Sequence, residues 1–155
     1  MDLKHLFYPR SIAVVGASPD MATGRMPFFQ ILKSTGYKGK VYPVNPSHEE
    51  IGGERVYPSL ADVPDGVDLA VCLVPSRFAL DTLEVAVEKG IRFVHFFTSG
   101  FSEAGKTDLE EAMIRVARKG GTRILGPNCL GVHCADSGVT FDPTFEQEGP
   151  GTVAF

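Results

Sequence analysis

Hydrophobic positions fall into five short runs separated by longer mixed stretches. The runs are Ile12 to Val15, Val41 to Val44, Val67 to Val74, Ile91 to Phe97 and Arg123 to Leu125. Most are continuous rather than alternating, as for strands buried on both faces of a parallel sheet. Between most of them the pattern changes to the helical period. Leu109, Ala112, Met113, Val116 and Ala117 share one helix face. Thr107 and Glu110 are spaced as a capping box, and Gly120 and Gly121 end that helix. A second helix is expected from Ser76 as N-cap to Gly90, with Ala79, Leu83, Ala86 and Val87 inward. A third is expected from Arg25 to Thr35, with Pro27 in its first turn and Gly36 closing it. The stretch from Pro46 to Pro64 predicts short elements only.

This alternation predicts an α/β fold: a Rossmann-like, doubly wound parallel sheet with five main strands in the order 3-2-1-4-5. Such sheets bind ligands outside the carboxyl ends of their strands. Those ends carry Gly16, Ala17, Ser18 and Pro19; then Asn45 and Pro46; then Pro75 and Ser76, after Val74; then Thr98, Ser99 and Gly100; and last Gly126, Pro127, Asn128 and Cys129. All are small, polar or turn-forming, and none is a bulky plug. Any one such turn means little. Five on one edge form a floor for an extended ligand.

Composition narrows the field. Apolar residues make up 43% and charged residues 22% of the 155, which suits one domain with a core. A net charge of −4 offers no basic surface for nucleic acid. No run reaches membrane-span length, and the first residues lack a signal-peptide layout. Cys72, Cys129 and Cys134 lack zinc spacing and read as reduced thiols of a cytoplasmic protein.

The first turn invites a dinucleotide reading, but Ser18 and Met21 stand where the second and third glycines of G-x-G-x-x-G belong. Asn45 stands where a ribose-binding acid is expected. NAD and FAD are disfavoured. An anion such as phosphate still suits the turn at Gly16 to Pro19 and the helix N-terminus near Arg25.

The ordered set "SIAVVGAS", "GYKGKVYPVNP", "VDLAVCLVP", "TSGFSEAG" and "GPNCLGV" covers nearly the whole chain. It resembles the CoA-binding domain of ADP-forming acyl-CoA (acetyl-CoA) synthetases and of succinyl-CoA synthetase α subunits. The resemblance implies coenzyme A as ligand. Gly16, Ala17 and Ser18 would face its phosphates, and Val44, Asn45 and Pro46 would wall the adenosine. Val74, Pro75 and Ser76 would line the nucleotide and the start of the pantetheine arm. Thr98, Ser99 and Gly100 would border the arm further along, and Asn128 would lie near the thiol. Relatives carrying a lysine after the "NP" are not matched here, since Ser47 and His48 follow. The 3′-phosphate partner is left among Arg25, His48, Arg55 and Arg77. Cys129 reads as a packing residue rather than a nucleophile, and Glu103 as a solvated loop glutamate. His95 reads as a core or surface residue.

Residues 1–148 are expected to form this domain, with 149–155 opening a following, truncated one. The resemblance places the phosphohistidine, ATP or ADP, and magnesium in absent domains or a second, ATP-binding subunit. No catalytic or metal-binding residue is then expected here, and a homo-oligomer is possible. Two alternatives stay open: a sensor domain of a synthetase-like protein acetyltransferase, and a stand-alone CoA-binding module without catalysis.

Overall fold

Five parallel strands form the central sheet of the computed structural model, which describes residues 2–19 and 27–142. In chain order the elements are α1 (Lys4–Phe7), β1 (Ser11–Val15), α2 (Phe28–Ser34), β2 (Lys40–Val44), β3 (Glu50–Ile51) and β4 (Glu54–Arg55). They continue as β5 (Leu69–Cys72), α3 (Ala79–Glu88), β6 (Phe93–Phe96), α4 (Thr107–Gly120) and β7 (Arg123–Leu125). The sheet runs β2-β1-β5-β6-β7, with β3 and β4 as a separate antiparallel pair.

The fold class is the one the pattern predicts, a Rossmann-like α/β sheet. The strand order was expected as 3-2-1-4-5. Counted over the five main strands it is 2-1-3-4-5, because the third strand, β5, pairs with β1 and not outside β2. Pro43 gives the physical reason. It sits in β2 without an N–H, so a full strand cannot pair on that side and β2 must be an edge. Tyr57 approaches there, its N–H donating to the Pro43 carbonyl at 2.9 Å.

Alternation within the strands builds two cores. Ala13, Val15, Ala70, Cys72, Val94 and Phe96 face α3 and α4. Ile12, Val14, Leu69, Val71 and Phe93 face α1, α2 and the segment around Val139 and Phe141. β1 and β5 are buried along their whole lengths. Each such Val, Leu or Ile contributes about 1.5–3 kcal/mol of burial energy. The rigid centre of the sheet therefore lies under the carboxyl ends of β1 and β5.

Two helix starts differ from expectation. Ser76 does not cap α3; residues Ser76–Phe78 form a 3-10 turn first, and the Ser76 hydroxyl accepts from Lys106 Nζ at 3.0 Å. Thr107 and Glu110 form no capping box, because Lys106 precedes α4 without a side-chain cap. The Glu110 carboxylate instead accepts from the Ser102 N–H at 3.2 Å. The helix expected from Arg25 is described from Phe28 onward; Arg25 itself and residues 149–155 lie outside the described residues. Among the described residues no helix is long and apolar enough to cross a membrane.

Candidate functional site

Two clefts adjoin on the carboxyl edge. The first has a volume of about 440 Å³ and lies over the ends of β1, β2 and β5. Gly16, Val44, Asn45, Pro46, Val74 and Pro75, all named from the sequence, line it. The second, of about 520 Å³, lies over the ends of β5 and β6 and against the 126–132 loop. Pro75, Ser76, Thr98, Ser99 and Asn128 line it. Pro75 lines both, so the two clefts are neighbours along the edge.

The first turn is built differently from a phosphate cradle. Gly16 N–H and Ala17 N–H both donate to the Val44 carbonyl, at 2.8 and 3.2 Å. Those two donors are thus turned away from any ligand, and Ala17 is buried behind the turn. Asn45 completes the brace. Its side-chain N–H donates to the Ala17 carbonyl at 2.7 Å, and its side-chain oxygen accepts from Ser47 N–H at 2.8 Å. What the turn offers instead is bare backbone. Gly16 has φ +88°, and a Cβ there would stand 3.3 Å from Leu73. Ser18 and Pro19 do not line either cleft; the Ser18 carbonyl accepts from Gln30 at 3.0 Å.

The second cleft is laced through carbonyls. Thr98 Oγ1 donates to the Val74 carbonyl at 2.9 Å, and Asn128 N–H donates to the Thr98 carbonyl at 3.0 Å. The composition of the 126–132 loop now has reasons. Gly126 has φ +89°, and a Cβ would lie 2.7 Å from the Phe96 carbonyl oxygen. Asn128 has φ +53°, a left-handed conformation that asparagine tolerates best among non-glycine residues. Cys129 Sγ accepts from Gly131 N–H at 3.4 Å and so helps fold the loop. Pro127 follows Gly126 through a cis peptide bond. Gly100 lines neither cleft but packs against a residue that does: a Cβ there would meet the Ser76 hydroxyl at 3.3 Å. Glu103 is solvent-exposed, as expected of a loop glutamate, and it also braces the loop. Its carboxylate accepts from Gly100 N–H at 2.6 Å and Phe101 N–H at 3.2 Å, and the Gly100 bond holds its carboxyl below the usual range.

Sequence reading missed the outer wall of the first cleft. Phe78, Asp81, Thr82 and Val85 line it from one face of α3 and its leading turn, with Pro58, Ser59 and Leu60 opposite. The spacing 78, 81, 82, 85 was a second helical stripe beside the core-facing one. Lys106 was missed too, although its ammonium reaches the cleft-lining Ser76. Of the cations considered for a phosphate, Arg77 stacks over the Phe78 ring at 4.6 Å. Arg55 stacks over Tyr57 at 5.3 Å and lines a separate cleft with Lys33 and Glu54. His48 lines neither cleft. Among the described residues no group of three or more His, Cys, Asp or Glu could hold a metal ion.

Comparison with known proteins bears on this geometry. A family model described as a CoA binding domain matches residues 10–135. An ADP-forming acetate–CoA ligase II of Archaeoglobus fulgidus is 40% identical over 99% of this chain, which spans 24% of that relative. The α subunit of the ADP-forming acetate–CoA ligase I of Pyrococcus furiosus is 41% identical over 97% of this chain and 34% of its own length. A solved structure of the dinucleotide-forming acetyl-coenzyme A synthetase 1 of Ca. Korarchaeum cryptofilum, in complex with phosphate and ADP, superposes with a TM-score of 0.84 at 42% identity. That match covers 90% of this chain and 30% of the other. The chain thus spans about a quarter to a third of the length of these relatives. With its fold, its edge clefts and these matches, the chain belongs to the family of CoA-binding domains found in ADP-forming acyl-CoA synthetases.

Proposed function

We propose that coenzyme A lies along the carboxyl edge, adenosine in the first cleft and thiol in the second. The observation that carries this is the meeting of the two clefts at Pro75. Val44, Pro46, Leu60, Val74 and Val85 give the first cleft apolar walls, and Phe78, 46% exposed, offers a ring face to a base. Ser76, Thr98, Ser99 and Asn128 give the second cleft the polar groups that the amides of a pantetheine arm need. The phosphates would rest against the bare Gly16 backbone. Because the Gly16 and Ala17 amides are engaged, their charge must be met by side chains. Arg77 and Lys106 would meet it; neither lines a cleft, but Arg77 adjoins Ser76 in the chain and Lys106 bonds the Ser76 hydroxyl.

In the whole protein this domain would present CoA to an NDP-forming acyl-CoA synthetase, an acid–thiol ligase acting through a phosphohistidine elsewhere. ATP or ADP and magnesium would be handled by other domains or by a partner subunit. Calorimetric titration of the 155-residue chain tests the binding reading. CoA should bind, and NAD and ATP should bind more weakly. Tighter binding of NAD than of CoA, or no binding of CoA, would overturn it. Purified chain given acid, CoA and ATP should form no thioester.

A further inference from the structure

His95 stands in the middle of β6 with no exposed surface. Its ring packs against Phe28, centroids 6.5 Å apart, and Phe141, 5.4 Å apart. Nε2 lies 2.6 Å from the Cys129 carbonyl oxygen. Among the described residues, Nδ1 is buried without a partner. Gly131 closes over that side of the ring, since a Cβ there would lie 2.8 Å from Cε1 and 3.1 Å from Nδ1.

A carbonyl only accepts, so Nε2 carries the proton and Nδ1 is a bare acceptor. Burial, opposed by the Cys129 bond, pushes the imidazole below its ordinary range and keeps it neutral. An orphaned buried acceptor is unfavourable. A phenylalanine would fill this aromatic neighbourhood without one. What the histidine adds over a phenylalanine is a single hydrogen bond, and that bond reaches the loop next to Asn128. Cys129 also lines the second cleft.

We propose that His95 is a positioning residue for ligand binding: its Nε2–H fixes the Cys129 carbonyl and thereby holds Asn128 against the thiol end of coenzyme A. This rests on the CoA reading above. It assigns His95 an effect on the arm of the ligand and none on the nucleotide.

The test titrates wild type, His95→Phe and His95→Gln with CoA and with adenosine 3′,5′-bisphosphate, which carries the nucleotide end alone. Wild type should bind CoA more tightly than the bisphosphate. His95→Phe should lose part of that difference, no more than Asn128→Gly loses, while keeping its bisphosphate affinity, and His95→Gln, which retains an N–H donor, should regain some of it. A folded His95→Phe that binds both ligands as wild type does would overturn the inference and leave the CoA reading standing. Wild type that ignores CoA would remove the CoA reading itself. If His95→Phe does not fold, nitrogen-15 spectra of the wild-type imidazole decide. The Nε2-protonated neutral form should persist over about pH 6 to 8, and an Nδ1-protonated ring would overturn the assignment.

Discussion

The two edges of one sheet are finished in opposite ways. At the amino edge Asp68, 3% exposed, takes four polar contacts. Arg10 supplies its backbone N–H at 2.8 Å and two guanidinium N–H groups at 2.9 Å, and His5 Nδ1 lies at 2.9 Å. Side chains saturate one another there, and α1 is tied to β5. At the carboxyl edge most of the bracing runs through backbone carbonyls of Val44, Val74, Thr98 and Cys129, with the Glu103 carboxylate added behind the cleft. Bracing with carbonyls leaves polar side chains over for a ligand. Bracing with charged side chains leaves nothing over. A binding edge and a structural edge can thus share the same strands.

Breaking the carboxyl edge should have the largest effect. Gly16→Leu must hold φ near +88°, at about 1–2 kcal/mol, and would fill the space proposed for the phosphates. CoA affinity should fall at least tenfold, more than 1.4 kcal/mol, in calorimetry on folded protein. Unchanged affinity would take the first turn out of the site.

Breaking the amino edge should do the reverse. Asp68→Asn removes the charge that Arg10 binds. A hydrogen bond to a charged group contributes about 1.5–3 kcal/mol, reduced here because the Arg10 side chain is 74% exposed. A loss of about 2 kcal/mol in denaturant unfolding is expected, with CoA affinity unchanged. A parallel loss of affinity would show that the edges are coupled.

Acid sharpens the same contrast. Burial pushes the Asp68 carboxyl up, but the Arg10 hydrogen bonds and the Arg10 and His5 charges outweigh it, leaving it below the usual range. The folded group therefore titrates below the unfolded one. Its stabilisation is complete above about pH 5 and is lost as pH falls through about 4 toward the folded value. Unfolding followed against pH should show that acid limb in wild type and a flatter one in Asp68→Asn.

Smaller effects test the loop. Asn128→Gly keeps the left-handed backbone and removes only the amide. CoA affinity should drop less than tenfold, for the loss of one hydrogen bond of about 1 kcal/mol, with no change for adenosine 3′,5′-bisphosphate. Cys129→Ser should change binding least. If it abolished binding at unchanged stability while Asn128→Gly did nothing, the roles of the two neighbours would be exchanged.

The sequence made the strands, the long helix α4 and the floor of both clefts legible, because each depends on local period and turn chemistry. Pro43 even carried the edge position of β2, had its missing donor been weighed against the strand order. The stripe at Phe78, Asp81, Thr82 and Val85 was equally readable but lay beside a stronger core stripe. Other features depend on register between distant segments. The Gly16 and Ala17 amides meet Val44 only because β1 and β2 pair as they do. His95 meets Cys129 across 34 residues of chain. Ser76 and Glu110 have the right residue types for caps and were recruited by loops instead, a competition no local pattern reveals.

Pro75, the wall common to both clefts, would give the proposed site a ruler. A ligand anchored by its base in one chamber reaches the other only if its tether spans the proline. Short thiols bearing no nucleotide would visit the second chamber without an anchor, and nucleotides bearing no arm would fill the first and stop. Selection would then act on the length of the whole molecule, a quantity that neither chamber measures by itself.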